Sequence, residues 1–345
     1  MDTVARLLEA VPAEELDTVF TDWMVEHRYQ LAIDGTQKWH HDISWDPKAI
    51  HRKTGPDSQS YLIYVVEAVL VGPAGIAVPF LAEFCENAED ADPETKQDSE
   101  LKAFYRLAAH LHALFPKTRF CLLMDGLYPN GPLFALCRRY RWDFLIVLKD
   151  GNLPTLQDEA QKLHRLVPEN RMQQRWGDRS QQFWWVNDLG YEWRDPETFQ
   201  RRTMTVHYVV CHETWTDAQR DHATTWVWVS ARPLTRANVA TRCNRMARHR
   251  WDIEEHILVE KHHGYHYTHL FAKNWNGMKN WHTLMRLGHL LNILVLHSVT
   301  LWDTVLRYGI QGAIQWLRDT FMGNWLHPEP FQTLRERRHQ LRLVW

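Results

Sequence analysis

Three acidic residues stand where a carboxylate needs a physical reason to be. Asp34 and Asp125 end the apolar runs QLAID and RFCLLMD, and Glu254 lies among basic residues in RHRWDIEEHILVEK. A carboxylate at the end of a buried strand is costly unless it meets a cation, and Mg²⁺ prefers oxygen ligands. The three side chains are therefore candidate ligands of a magnesium site.

The basic residues around Glu254 follow a helical spacing. In a helix predicted from about residue 236 to 262, Arg250, Glu254 and Lys261 fall within an arc of about 40°. This stripe places a metal ligand between two phosphate-binding cations, or it is a solvated row of salt bridges. Glu255 points about 100° away from the stripe, which favours Glu254 as the ligand.

The elements that must position these acids lie mainly between residues 30 and 150, in the order strand, strand, strand, helix, strand, helix, strand. YLIYVVEAVLV and GIAVPFLAEF indicate a hairpin, and SELKAFYRLAAHLHALF indicates a helix capped by Asp98 or Ser99. This order resembles the ribonuclease H-like fold, an α/β class with a mixed sheet flanked by helices. That fold implies that the first and fourth strands are neighbours, so that Asp34 and Asp125 meet.

The rest of the chain divides by pattern. Runs rich in Trp, Tyr, Val and Thr from 178 to 230 indicate strands and predict a β-rich insertion. Thr235 is the expected cap of the long helix, and Gly264 its stop. The expected regions are a short N-terminal helical segment (1–29), a ribonuclease H-like core (30–150 and 235–275), a β-rich insertion (151–234) and a helical C-terminal region (276–345) that is interrupted near HPEP.

Composition limits the classes of protein that fit. The 345 residues and 45% apolar content suffice for one large domain with an insertion, or for two domains that share a core. Lys and Arg number 40 against 42 Asp and Glu, a net charge of -2, so any contact with DNA must come from local patches.

Cysteines and hydropathy indicate a location. The five cysteines show no CxxC spacing, which argues against a disulfide framework and a cysteine zinc site and favours a reducing cytoplasm. The N-terminus does not read as a signal peptide. The apolar stretch 284–302 carries Arg286, His289, Asn292 and His297, so a buried helix is expected there and no membrane span.

The spacing Arg-x3-Glu-x6-Lys of Arg250, Glu254 and Lys261 resembles the signature around the last acid of insertion-sequence DDE transposases. The usual signature adds a Tyr three residues before the Arg, where this chain has Ala247. AIDGTQ, LLMDGLYPNGPLF and KQDSE add further resemblance. Together these motifs cover roughly residues 30–275 in the expected order, so the chain resembles bacterial transposases of this type.

The resemblance implies a site with two Mg²⁺ ions, which Mn²⁺ can replace, held by Asp34, Asp125 and Glu254 as the catalytic residues. One ion activates water or a DNA 3′-hydroxyl, and the other stabilises the leaving oxygen. Arg250 and Lys261 hold DNA phosphates. The implied partners are transposon-end and target DNA, bound by a homodimer in the cytoplasm that is nucleoid-associated when on DNA.

Two alternatives concern activity and metal. Only 33 residues precede Asp34, whereas transposases of this resemblance usually carry a longer region that binds the element's ends. A decayed or N-terminally shortened transposase would act only as a DNA-binding or interaction module. His263, His266 and His269 suggest a zinc site or a metal-storage role. The alternative is a role in packing or at the DNA backbone, and the lack of Cys and of an HExxH pattern favours this alternative.

Tryptophan is abundant, with 18 residues, and many of them lie in the expected insertion. Such side chains pack a β-layer, or they stack on unpaired bases. Core packing is the simpler expectation for the following five: Trp184, Trp185, Trp193, Trp226 and Trp228.

Overall fold

The structure, a computed structural model, describes residues 23–55, 58–72, 75–88, 97–217, 220–297 and 302–322. The chain forms two units, of which the first is Trp23–Leu258 and the second contains the described residues from Val259 onward. The predictions for 1–22, and for the HPEP segment and the helix beyond it, lie outside the described residues.

The first unit is built around a mixed sheet. Eleven strands among the described residues form it, in the order β3-β4-β2-β6-β7-β11-β10-β9-β8, with β1 on β2 and β5 on β4. The strands are β1 (Met24–Val25), β2 (Arg28–His41), β3 (Ile50–Lys53), β4 (Gln59–Val71), β5 (Ala77–Cys85), β6 (Phe120–Met124), β7 (Asp143–Val147), β8 (Arg171–Trp176), β9 (Arg179–Arg194), β10 (Arg201–Thr216) and β11 (Asp221–Ser230).

The centre of the sheet is parallel. β6 lies between β2 and β7 and runs parallel to both, whereas the other pairings are antiparallel. All five residues of β6 are buried, as expected of a strand covered on both faces. The predicted α/β architecture with a mixed sheet is therefore confirmed, and so is the β4–β5 hairpin.

Helices flank this parallel centre. Helix α1 (Glu100–Leu114) precedes β6 and packs against β4 and β5, and α2 (Gly131–Tyr140) joins β6 to β7. Ser99 caps α1, as predicted, by accepting a hydrogen bond from the Lys102 N–H. Both helices are present because their apolar residues recur at helical spacing and bury one face.

The start of the described chain differs from the prediction of helix up to residue 29. β1 and β2 form a tight hairpin instead, and Glu26 and His27 at its turn have positive φ angles of 52° and 60°. Two successive left-handed residues are the geometry of the hairpin turn that matches strand twist. The pairing of β1 with β2 outweighs the local helical pattern.

The β-rich segment continues the same sheet. After α3 (Pro154–His164), strands β8 to β11 form an antiparallel meander, and β11 pairs with β7. Trp185 and Trp228 are buried in a core cluster with Leu123 and Leu145 of the parallel strands. Core packing is thus confirmed for these two tryptophans. The five cysteines are buried free thiols.

The prediction of one continuous helix from about 236 to 262 is wrong. The chain instead forms α4 (Val239–Asn244), a 3₁₀ helix (Ala247–Trp251) and α5 (Asp252–His262). Met246 leaves helical geometry and is fully buried in the core cluster, so tertiary packing interrupts the helix there. The N-cap position belongs to Asn238 rather than Thr235, while α5 does end before Gly264.

The second unit contains two longer helices, α6 (Trp275–Leu296) and α7 (Trp302–Met322), the latter kinked at Gly309. α6 buries the polar residues His282, Arg286 and His289. No described helix combines the length and apolar character needed to span a membrane.

Candidate active site

Asp34 and Asp125 come together because β2 and β6 pair in parallel. Ala32 pairs with Leu123, so the register joins residues 91 positions apart. The same 91 positions separate Asp34 from Asp125, and each lies two residues beyond that last pair. Since neighbouring strands are about 4.8 Å apart, the register sets the two acids side by side at one edge of the parallel centre.

Asp34 is a carboxylate under electrostatic strain. Its side chain is 23% exposed and accepts a hydrogen bond from the Gly35 N–H at 3.0 Å. Burial raises its pKa to about 6 against the lowering effect of Arg250, and the charges of Glu100 and Asp125 raise it further. A cation between these acids would relieve both the burial and the repulsion.

Arg250 joins the third predicted acid to the first. Its Nη2 donates to Glu254 Oε1 at 2.6 Å, and its Nη1 lies 3.8 Å from Asp34 Oδ2. The guanidinium side chain is only 7% exposed and stacks over the ring of Trp251. The 3₁₀ helix that follows the break at Met246 turns Arg250 inward, while Glu254 on α5 remains 47% exposed.

Asp125 is held by the turn that follows β6 and by a lysine from the next strand. Its Oδ1 accepts from the Leu127 N–H, and its Oδ2 lies 2.8 Å from Lys149 Nζ. Asn152 fixes the lysine's loop by bonding the Lys149 N–H and the Gly126 carbonyl. The sequence analysis missed Lys149. The signal in the sequence is that Lys149 comes two residues after β7, whose carboxyl end lies beside that of β6.

A fourth carboxylate, Glu100, also faces the site. The hydroxyls of Tyr64 and Tyr128 donate to its two oxygens at 2.8 and 2.7 Å. A Cβ on Gly35 would lie 2.4 Å from this carboxyl group and 2.6 Å from the Tyr64 ring, so a side chain there would have to displace them. Glu100 is the first residue of α1, and its charge also acts on Asp34.

The predicted metal ligands carry the oxygen donors that Mg²⁺ prefers, but these oxygens are too far apart to coordinate one ion together. Among the described residues, Asp34, Asp125 and Glu254 do not bring three donor atoms within 4.8 Å of one another. Arg250 and Lys149 instead occupy their oxygens. Carboxylates suit Mg²⁺, and the strained Asp34 favours a cation. The residues fit such an ion once the two basic side chains release the carboxylates.

Lys261, the second expected phosphate-binding residue, lies in the second unit near the end of α5. Its ammonium is 5.7 Å from the ring centroid of Tyr267. This contact is within the range of a cation–π interaction. Its role toward DNA stays a prediction.

The histidines after α5 do not gather. His263, His266 and His269 are exposed, and among the described residues they do not form a group of metal ligands. His282 and His289 are buried in this unit, and His289 Nδ1 lies 2.9 Å from Glu260 Oε1. The acidic edge of the first unit therefore carries the candidate active site.

Comparisons with known proteins add little to this geometry. No protein-family model and no curated protein matches the chain. Among solved structures, the NurA nuclease from Sulfolobus solfataricus is similar over 71% of this chain and 81% of its own, with 10% identity and a TM-score of 0.27. A likeness at this level carries no argument about activity, so function must be inferred from the site.

Proposed function

We propose that this protein is a DDE-type transposase that cleaves DNA strands and joins them to target DNA, with a ribonuclease H-like catalytic core. The observation that carries the proposal is the parallel register, because it brings Asp34 beside Asp125 as that fold requires. The inward turn of Arg250 adds Glu254 to the same group of charges.

The roles of the side chains follow from their exposure and partners. Asp34, Asp125 and Glu254 are the metal ligands, and Mg²⁺ ions bound there would supply Lewis acids for in-line displacement at phosphorus. Arg250 is nearly buried and orients both Asp34 and Glu254. Lys149 is 64% exposed, so its ammonium can leave Asp125 and pair with a DNA phosphate.

The proposal is tested by nicking of supercoiled plasmid in the presence of Mg²⁺ or Mn²⁺. Asp125→Asn keeps the shape of the side chain but removes the ligand charge, and it should abolish nicking. Asp150→Asn is the matched control, because Asp150 is exposed three residues beyond β7 and no described contact links it to the site. It should nick at the wild-type rate.

The outcomes separate the proposal from its alternative. Loss of nicking in Asp125→Asn alone, with DNA binding retained, supports the transposase. Absence of metal-dependent nicking in the wild type, under conditions where it binds DNA, would leave a DNA-binding module of transposase ancestry. Equal nicking by Asp125→Asn and the wild type would refute the role of the acidic edge.

A further inference from the structure

An open pocket of about 420 Å³ lies at the end of the sheet opposite to the acids. It is formed where β2 and β7 begin and where α2 ends, with β10 completing the wall. Arg28 lies six residues before Asp34 on β2, a separation of about 20 Å at the rise of a strand. The pocket is therefore separate from the candidate active site.

Positive charge exceeds negative charge in the lining of this pocket. Arg28, Arg138 and Arg141 face a single acid, Asp143, which is paired with Arg28 at 2.7 Å. Arg138 and Arg141 are exposed, and neither has an ion-pair partner within the described part of the chain. Two guanidinium groups thus remain for an anion, in a protein whose net charge is -2.

Further arginines surround the pocket. Arg232 and Arg242 lie 3.6 and 3.9 Å from Glu26, so the negative charge of Glu26 is already balanced by these two arginines. Burial lowers the pKa of Arg28 against the opposing effect of Asp143, and the neighbouring charges of Arg232 and Arg119 lower it further. This crowding of like charges is a condition that a bound anion relieves.

The pocket wall also contains a buried donor without an acceptor. Trp142 is 3% exposed, and its indole N–H has no hydrogen-bond partner in the described structure. His207, also buried, accepts the Asp188 N–H through Nδ1, so its proton lies on Nε2 and the ring is a second donor. An unsatisfied buried N–H is costly, so this wall of the pocket is short of acceptors.

We propose that this arginine pocket, lined by Arg28, Arg138, Arg141, Trp142 and His207, binds a phosphate group of the DNA backbone. The inference rests on the proposed function, which supplies DNA as the partner. Guanidinium groups form paired hydrogen bonds with phosphate oxygens. A duplex that reaches from the pocket to Asp34 spans about six base pairs, so the pocket holds flanking DNA and not the scissile phosphate.

The test measures DNA affinity by fluorescence anisotropy in EDTA, with a duplex of about 30 base pairs and NaCl from about 50 to 200 mM. Arg138→Ala/Arg141→Ala should weaken binding about tenfold and reduce the slope of log affinity against log salt by about 1. Arg139→Ala/Arg165→Ala is the matched control. It removes the same charge from two exposed arginines outside the pocket and should keep the wild-type slope.

Folding of the variant is checked by its thermal melt, and Arg138→Lys/Arg141→Lys should recover most of the salt slope because the charge returns. Wild-type affinity and slope in the alanine variant would overturn the proposal. Inorganic phosphate distinguishes a free-anion pocket: if it raises the Tm of the wild type and not of the variant, while DNA affinity is equal, the assignment to DNA is wrong.

Failure of this inference and failure of the proposed function give different results. Binding in EDTA does not depend on the acids, so a pocket variant that loses affinity supports the inference even if the wild type never nicks DNA. A wild type that nicks, beside a pocket variant that binds with an unchanged slope, keeps the transposase and rejects the pocket.

Discussion

At the scale of single residues, the buried negative charge of Asp34 at the candidate active site lowers the free energy of unfolding. Burial raises the pKa of Asp34 to about 6 from an ordinary value of 3.8. The folded protein therefore holds this proton more tightly than the unfolded chain. The resulting destabilisation is absent below about pH 4 and complete above about pH 6, where it amounts to roughly 2–3 kcal/mol.

Asp34→Asn should accordingly be more stable than the wild type at pH 7.5 in EDTA, by roughly 2 kcal/mol. The difference should be small near pH 4, because the folded-state carboxyl is then protonated and the unfolded-state carboxyl partly so. Urea unfolding at the two pH values measures it. A variant that is less stable than the wild type at pH 7.5 would show that Asp34 is not a strained carboxylate. Mg²⁺ should stabilise only the wild type.

Glu100→Gln tests whether the fourth carboxylate acts on Asp34 through its charge. Removing that charge should lower the pKa of Asp34, because Glu100 raises it. The acid limb of the pH profile for nicking should therefore move to lower pH. Tyr64→Phe is the control, since it removes a hydrogen bond to Glu100 but keeps the charge. An equal loss of rate at every pH would indicate only a structural role.

Some of the residues at the candidate site could be predicted from the sequence, and others could not. Asp34 and Asp125 are visible because each ends an apolar run, where a charge is unexpected. Glu100 is hidden because an acid at a helix start already has an ordinary explanation. Lys149 is hidden because its partner Asp125 lies 24 residues away, and only the pairing of β6 with β7 brings them together.

At the scale of elements, the register of β2 and β6 and the break between α4 and the 3₁₀ helix build the site. The strand and helix order could be predicted because apolar periodicity is local. The break could not, because Met246 and Ala247 fit a helix locally and leave it only to fill the core cluster. The 3₁₀ helix that results turns Arg250 toward Asp34.

A buried network ties this 3₁₀ helix to the β-rich segment. Glu213 on β10 is fully buried and receives hydrogen bonds from Arg248, Arg179 and Gln181. Burial alone would raise the pKa of Glu213, but the bonds from Arg248 and Gln181 lower it below its ordinary value. Its contribution to stability is therefore present above about pH 4.5 and is lost as the pH falls through the folded-state pKa.

Glu213→Gln should destabilise the protein by about 3–5 kcal/mol at neutral pH, because it leaves buried arginine charge without a counter-ion. It should also weaken nicking, since Arg248 lies in the helix that positions Arg250. Chemical denaturation measures the first effect. Glu192→Gln, at an exposed position of β9, is the control and should change stability by less than about 0.5 kcal/mol. Equal stability of both variants would contradict the network's importance.

At the scale of the whole molecule, the β-rich segment extends the mixed sheet through β11 and β7 instead of forming a separate layer. Its strands could be predicted from composition, but their attachment could not, because the β11–β7 pairing joins residues that are distant in sequence. With a net charge of -2, any DNA would have to be held by local groups of basic residues such as the proposed arginine pocket.

Transposases of the proposed type join two DNA ends, so the protein should dimerise on DNA. Light scattering should show the 41.1 kDa chain as a monomer alone and as two chains on duplexes that carry its end sequence. A mixture with unrelated duplexes serves as the control. A monodisperse complex with one chain on paired ends would contradict the expected assembly.

Whether the acidic edge of the sheet cleaves DNA is measured by comparing the nicking activity of two glutamate variants on α5 with that of the wild type. Plasmid nicking with Mn²⁺ is measured for the wild type, for Glu254→Gln and for Glu255→Gln, an adjacent exposed glutamate that points elsewhere on α5. We predict loss of nicking only in Glu254→Gln, with its fold and DNA affinity unchanged. Equal nicking by Glu254→Gln and the wild type would rule out Glu254 as a ligand in a DNA-cleaving site.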